Sequence, residues 1–120
     1  MTGDGADWPV ELRLSSDGRT LTVAWADGAR HAISAELLRV ESPSAEVQGH
    51  SPDQKTIVPG KRNVVIRDVQ EVGSYAVRLV FDDGHDTGIY TWPSLRRFGD
   101  DGERMFTSYL EALGDRGLTR

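Results

Sequence analysis

Alternating apolar and polar side chains predict a β-hairpin in the first half of the chain. Apolar residues alternate with polar ones over 10–14, and the alternation returns over 21–25. A period of two is typical of half-buried strands. Residues 27–28 are Asp-Gly, which favours a tight turn because the turn needs positive φ. A short return strand is therefore expected over 30–33.

A second alternating stretch predicts another hairpin in the second half. Residues 75–81 show the clearest alternation in the chain, and a short β-branched run at 64–66 precedes them. Residues 82–85, Asp-Asp-Gly-His, supply turn chemistry. The chain is then expected to return as a strand over 87–91.

Helical signals follow each hairpin. Ser34 is expected to cap a short helix that opens at 35–38, because its hydroxyl can accept a hydrogen bond from a free first-turn amide. A turn of helix is expected at 92–95. Apolar residues over 103–113 recur with helical spacing, which predicts an amphipathic helix that ends near Gly114. The predicted fold class is α+β: two β-hairpins, each followed by a short helix, with an antiparallel sheet packed against the C-terminal amphipathic helix.

The two hairpin segments share a plan. In 21–39 and in 77–97, a strand ends in an aromatic residue and leads through Asp-Gly to a short strand and a helical turn. The segments align without a gap, which pairs Trp25 with Phe81, Gly28 with Gly84, and Ile33 with Ile89. Two interpretations stay open: a structural repeat, or two hairpins that look alike because hairpins share turn chemistry.

A single domain is expected over 8–114, because 120 residues suit one hydrophobic core. Residues 1–7 are expected to be disordered and 115–120 to be a frayed tail. Between the hairpins, the segment 41–60 carries three prolines and two glycines and has no periodicity. Three apolar side chains are expected to pack part of it: Val47, Ile57 and Val58.

Composition narrows the classes of function. The chain has 14 basic and 19 acidic residues and a formal net charge of −5, which argues against nucleic-acid binding. No apolar stretch approaches the roughly 20 residues of a membrane span, and the first nine residues lack the apolar run of a signal peptide. The absence of cysteine excludes disulfides, thiolate metal sites and cysteine nucleophiles. We expect a cytoplasmic protein without a nucleic-acid or membrane partner.

The histidines are the main candidates for chemistry, because the sequence contains none of the common local catalytic motifs. His31 is expected to face solvent on a strand, and His50 to lie in a turn. His85 follows Asp83 and precedes Asp86, a grouping that suits either a metal ion or a solvated turn. These carboxylates are expected to raise the pKa of His85, which weakens metal binding by a neutral ring. Neither an enzyme nor a bound cofactor is expected.

Three segments carry a resemblance to a known family. They run from Leu38 to His50 (LRVESPSAEVQGH), from Arg62 to Val64 (RNV), and from Phe81 to Trp92 (FDDGHDTGIYTW). Together they resemble the gamma-butyrobetaine hydroxylase N-terminal-like domain family, over roughly residues 8–113. In that family, the domain forms small bacterial proteins without an assigned activity, precedes the dioxygenase domain of carnitine-biosynthesis enzymes, or is appended to P-loop iron–sulfur carrier ATPases. The resemblance therefore implies an accessory domain.

The resemblance also implies where a site would lie. Hydroxylase members hold a structural zinc with three loop cysteines and one hairpin histidine, and these positions carry Ser42, Ser44, Val47 and His85 in this chain. Hydroxyls are poor zinc ligands and valine is none, so we expect the zinc site to be lost. The loop is then expected to lie against the hairpin tip, where hydrogen bonds from His85 replace the metal. The candidate binding residues are Ser42, Ser44, Glu46, His50, Asp83 and His85.

Two functions from different classes follow. The first is a non-catalytic accessory domain that binds another protein through the 41–60 loop and the second hairpin tip, because irregular loops on rigid scaffolds often carry function. The alternative is a metal- or iron–sulfur-handling accessory factor with a weak site formed by Glu46, His50, Asp83 and His85.

Overall fold

Two three-stranded antiparallel sheets form the fold, with the strand orders β1-β2-β3 and β4-β5-β6. The structure is a computed structural model that describes residues 8–120, so the expected disorder of 1–7 lies outside the described residues. The strands are β1 (Pro9–Leu14), β2 (Thr20–Trp25), β3 (Arg30–Ser34), β4 (Ile66–Val72), β5 (Ala76–Phe81) and β6 (Ile89–Thr91). The helices are α1 (Ala35–Val40), α2 (Ala45–Gln48) and α3 (Trp92–Asp115), with a 3-10 turn at Pro52–Gln54. The α+β class is confirmed.

The two halves of the fold repeat one structural plan. The turn glycines Gly28 and Gly84 have φ of +93° and +90°, and each turn is closed by a backbone hydrogen bond from the aromatic residue that ends the preceding strand. The cap of α1 is Ser34, and the cap of α3 is Thr91, one residue later than the gapless alignment places it. The repeat is therefore structural, with one extra residue before α3.

We call each hairpin, together with the helix that follows it, a unit. The helix of each unit contacts the turn of the other unit. Arg39 of α1 donates a 2.7 Å hydrogen bond to Asp83 in the second turn. Arg96 of α3 forms a bidentate pair with Asp27 in the first turn, at 3.1 and 3.2 Å. The same contact is thus made in both directions between the two units.

The core lies between the sheets and the helices. The central strands β2 and β5 contribute side chains that are almost fully buried, among them Leu21, Val23, Trp25, Leu79 and Phe81. A second, smaller cluster joins Val40 to Tyr109 and Leu113, and Ile57 and Val58 pack against it. Val47 is 2% exposed. The expectation that these three apolar residues pack part of the 41–60 loop is confirmed.

The helix α3 is longer than the sequence pattern predicts. It runs without a break through Gly99 and Gly102, where two separate helical pieces were expected. Glycine is tolerated at 99 because a Cβ there would overlap the His31 ring, so close packing compensates for low helix propensity. A buried stripe fixes the helix on the core: Leu95, Phe98, Met105, Tyr109 and Leu113.

The end of α3 is set by Gly117 rather than by Gly114. Gly117 has φ of +66°, and its amide donates to the Gly114 carbonyl at 3.1 Å while the Leu118 amide donates to the Leu113 carbonyl at 2.9 Å. This pair of hydrogen bonds is a Schellman motif, in which the residue after the cap adopts the left-handed conformation.

Two strands also differ from their predicted form. The pairing register of β1 shifts between Pro9 and Glu11, and this bulge turns Val10 outwards, 65% exposed. The strand β4 begins at Ile66 instead of Val64 and continues through polar residues, as an edge strand can. Tyr75 lies in the β4–β5 turn rather than in the strand.

The residues after α3 lie against the domain. The Thr119 carbonyl accepts a 3.0 Å hydrogen bond from the Gly60 amide, and Arg120 pairs with Glu36. The sequence pattern predicts a frayed tail and contains no signal for these contacts. Within residues 8–120, none of the helices combines the length and the apolar character that crossing a membrane would need.

Candidate functional site

The loop after α1 and the tip of the second hairpin meet in a buried polar cluster. His85 Nε2 lies 3.0 Å from Ser42 Oγ and 3.5 Å from Ser44 Oγ. On the other side of the ring, Nδ1 faces Glu46 Oε1 at 3.3 Å. Ser42, Ser44 and His85 are all buried, whereas the Glu46 side chain is 62% exposed. The expected approach of the loop to the hairpin is confirmed, and we call these four residues the His85 cluster.

Residues of the second hairpin place the loop against His85. A Cβ on the buried Gly88 would lie only 2.6 Å from Ser42 Oγ, so glycine lets the loop approach. The Tyr90 hydroxyl donates to the Leu38 carbonyl at the end of α1. His85, Gly88 and Tyr90 are therefore spaced along the hairpin so that each contacts the loop or the end of α1.

Asp83 faces cations rather than the His85 ring. It accepts hydrogen bonds from Arg39 and Lys61, each at 2.7 Å, and from the His85 backbone amide at 3.0 Å. Burial by itself would raise the pKa of Asp83, but these hydrogen bonds outweigh it and lower that pKa to about 2. Asp83 is therefore an ionised anchor for two cations.

His85 is held in its neutral form. Burial lowers its pKa, the nearby Arg39 charge lowers it further, and both outweigh Glu46, Asp83 and Asp86. The carboxylates act to raise this pKa, as expected, but the net shift is downwards because the sequence does not reveal that the ring is buried and close to Arg39. With its proton on Nδ1, the nitrogen that faces the Glu46 carboxylate, the neutral ring can accept a hydrogen bond from Ser42 at Nε2.

The other two histidines lie outside the His85 cluster. His50 is exposed, and its backbone amide donates to Gln54 Oε1. His31 accepts a 2.9 Å hydrogen bond from Trp25 Nε1, and its Nε2 lies 3.0 Å from Asp100. The expectation that His31 simply faces solvent is wrong: the ring joins β2 and β3 to α3.

The His85 cluster does not fit a zinc ion. Zinc in proteins takes thiolate, imidazole and carboxylate ligands in a tetrahedral arrangement. Here the two ring nitrogens of His85 serve different partners, and the Nε2 side offers only the hydroxyls of Ser42 and Ser44. Across residues 8–120, no three His, Asp or Glu side chains group so as to hold a metal ion.

A second feature, which the sequence analysis does not predict, is a groove of about 630 Å³ between β3–α1 and α3. Its apolar wall contains Ile33, Leu37, Phe98 and Phe106. The Glu36 carboxylate also lines it, with its side chain 7% exposed. Only the glycines within α3 hint at this groove in the sequence.

At one end of the groove, Arg120 covers Glu36. Its Nε and Nη2 donate to the two carboxylate oxygens at 3.0 and 2.7 Å, and its guanidinium lies 5.1 Å from the centre of the Phe106 ring. The two residues of this pair are 84 positions apart in the chain, so no local pattern indicates the contact.

The fold and the His85 cluster define a small α+β domain in which a polar loop is fastened to a hairpin. The family described as gamma-butyrobetaine hydroxylase-like, N-terminal, matches residues 12–96, and the chain belongs to this family. The resemblance found in the sequence is therefore confirmed.

Solved structures support the assignment. A crystal structure of a protein of unknown function of the DUF971 family, from Acidithiobacillus ferrooxidans, is 42% identical with a TM-score of 0.68, over 81% of this chain and 98% of that one. Two proteins whose structures were determined by NMR in solution are each 38% identical, with TM-scores of 0.81 and 0.82. They cover 94% and 100% of this chain and 89% of their own. The comparison with curated proteins found no similar sequence.

Proposed function

We propose that this chain is a non-catalytic accessory domain that acts by binding another protein. The observation that carries the proposal is that Ser42, Ser44 and His85 are buried and hydrogen-bonded to one another. A group that is buried and already paired offers neither a nucleophile nor an open metal position to a substrate. What remains available is surface, in the exposed parts of the 41–60 loop, the hairpin tip and the groove.

Within this proposal, the His85 cluster replaces the structural zinc of the hydroxylase members. Hydrogen bonds between one buried ring and the serines of the loop join the loop to the hairpin, and the Arg39–Asp83–Lys61 group adds an ionic contact beside them. A buried network of this kind fixes one arrangement when its members are satisfied, as Ser42 and His85 are; beside them, Arg39 Nη1 is buried without a hydrogen-bond partner among the described residues. The cluster therefore has a structural task, and a role of its residues in ligand binding stays a prediction.

Zinc titration tests the loss of the metal site and, with it, the alternative of a metal-handling factor. We expect metal-free protein to bind no stoichiometric zinc, with the ring signals of His85 in NMR spectra unchanged. The matched control is the triple variant Ser42→Cys, Ser44→Cys, Val47→Cys, which with His85 offers three thiolates and one imidazole and should bind one zinc. Tight binding of zinc by the unmodified chain would overturn the proposed loss.

Photo-crosslinking in the native cells tests protein binding. Benzoylphenylalanine is placed one position at a time at exposed sites on three surfaces: Pro43 and Asp86 at the loop and hairpin tip, Thr107 at the groove, and Arg13 on β1. We expect one recurrent protein adduct at positions of one surface and none at the others. The absence of any adduct from all four positions, or turnover of a metabolite by the purified chain, would contradict the proposed function.

A further inference from the structure

The groove between β3–α1 and α3 is kept open by a glycine that packing does not require. A Cβ on Gly102 would lie 3.5 Å from Leu37, an ordinary contact distance. Alanine would therefore fit, and it would favour the helix. Gly102 nevertheless lies in the middle of α3 and lines the groove, so its lack of a side chain leaves the helix surface accessible there.

The groove combines this bare helix surface with a buried carboxylate. A buried carboxylate needs a cation and hydrogen-bond donors, because desolvation without a partner is strongly unfavourable. The chain supplies its own cation for Glu36, the guanidinium of Arg120, which meets both oxygens and lies over Phe106. A planar fork that pairs with a carboxylate and stacks on an aromatic ring is a geometry that arginine provides and lysine does not.

The contact made by Arg120 lies at the surface of the domain. Its side chain is 34% exposed, and the residues just before it are exposed as well. The tail is also held by backbone hydrogen bonds at Leu118 and Thr119 and by a hydrogen bond from the Arg116 side chain to the Ala112 carbonyl. The rest of the groove lining belongs to β3, α1 and α3, so the groove does not need Arg120 to form.

We propose that this groove binds an arginine-containing segment of a partner protein, whose guanidinium replaces that of Arg120 on Glu36. The apolar wall at Ile33, Leu37 and Phe98 then receives an apolar side chain next to that arginine. This inference rests on the proposed function and assigns it a surface and a partner chemistry. Arg120 acts as a built-in competitor, since a site that is occupied by its own chain binds an external ligand more weakly, in proportion to the time it is free.

The test uses the peptide acetyl-Leu-Arg-Leu-amide and the full chain, with binding followed by the amide NMR signals of Gly99, Gly102 and Glu103. We expect the Arg120→Ala variant to bind this peptide about tenfold more tightly than the unmodified chain. Acetyl-Leu-Lys-Leu-amide should bind Arg120→Ala more weakly, because lysine lacks the planar fork.

Two further variants in the Arg120→Ala background locate the binding. Glu36→Gln removes the carboxylate charge, and Gly102→Leu fills the groove with a good helix former; each should abolish binding. Gly114→Ala lies in the same helix, with nothing within 4 Å of its added Cβ, and should leave binding unchanged. Thermal unfolding of each variant separates loss of the groove from loss of the fold.

Three results would overturn the inference: no shift of the groove signals with Arg120→Ala, equal binding by the lysine peptide, or full binding by Gly102→Leu. Dimerisation of the unmodified chain through exchanged tails, detected by sedimentation and abolished by Glu36→Gln, would also overturn it by identifying a second copy as the occupant. A crosslinked partner at Pro43 or Asp86 without one at Thr107 would leave the proposed function intact and reject the groove.

Discussion

At the scale of single residues, burial decides what His85 can do. The sequence places a histidine among carboxylates, and the resemblance brings Ser42 and Ser44 to it, so the members of the His85 cluster were predictable. Its protonation was not, because the exposure of a ring depends on how the loop packs over the hairpin. The Glu36–Arg120 pair could not be predicted at all, since its members lie 84 positions apart in the chain and meet only in the complete fold.

The neutral state of His85 predicts that the folded chain loses stability in mild acid. The pKa of this ring is lowered in the folded chain, so below the ordinary value of about 6.5 the unfolded chain binds more protons. The free energy of unfolding should therefore fall as the pH decreases through 6.5 towards the lowered pKa. Asp83, whose pKa is about 2 in the folded chain, adds a separate loss of stability. This loss starts as the pH falls below about 4, the ordinary pKa of an aspartate.

Urea unfolding between pH 7 and pH 5 measures the contribution of His85. We expect the variant His85→Gln to be less stable at pH 7 by about 1–3 kcal/mol, because buried polar groups lose their partner. The same variant should show a smaller fall in stability towards pH 5. The control variant His50→Gln changes an exposed ring and should show the same decrease in the free energy of unfolding as the unmodified chain. An equal pH dependence in the unmodified chain and both variants would contradict the prediction.

At the scale of elements, the strands were easier to predict than the long helix. Alternation and turn residues located both hairpins, because side-chain period and positive-φ turns are local properties. The continuity of α3 depends instead on a distant contact, the close approach of Gly99 to the His31 ring. The polar strand β4 and the bulge at Val10 are likewise fixed by pairing with neighbouring strands, which a single sequence does not display.

Two glycines of α3 should respond in opposite directions to the same substitution. Gly99→Ala forces a Cβ into the His31 ring, which is held by Trp25 and Asp100, and should destabilise the chain by about 1–3 kcal/mol. Gly102→Ala meets only an ordinary contact and should stabilise it by roughly 0.5–1 kcal/mol through helix propensity.

Chemical denaturation of both variants provides the comparison. A further variant, His31→Ala combined with Gly99→Ala, removes the obstructing ring and should recover part of the loss. If both single substitutions stabilise the chain, the close approach of Gly99 to His31 does not constrain the helix.

At the scale of the whole molecule, two reciprocal ion pairs connect the repeated units, and they should differ in strength. Arg39 and Asp83 have side chains 12% and 17% exposed, whereas Arg96 and Asp27 are 20% and 37% exposed. Less exposed pairs are less screened by water. Double-mutant cycles with alanine should therefore give a coupling energy of roughly 1–3 kcal/mol for Arg39–Asp83 and below about 1 kcal/mol for Arg96–Asp27. The reverse order would contradict this prediction.

Because each unit's helix contacts the turn of the other, we expect the two units to stay associated without the peptide bond that links them. A backbone cut in the exposed turn at 52–54 would place the two members of each reciprocal contact on opposite pieces. It would likewise separate His85 from Ser42. Two separately produced pieces should then reassemble on mixing, with an amide spectrum close to that of the unbroken chain.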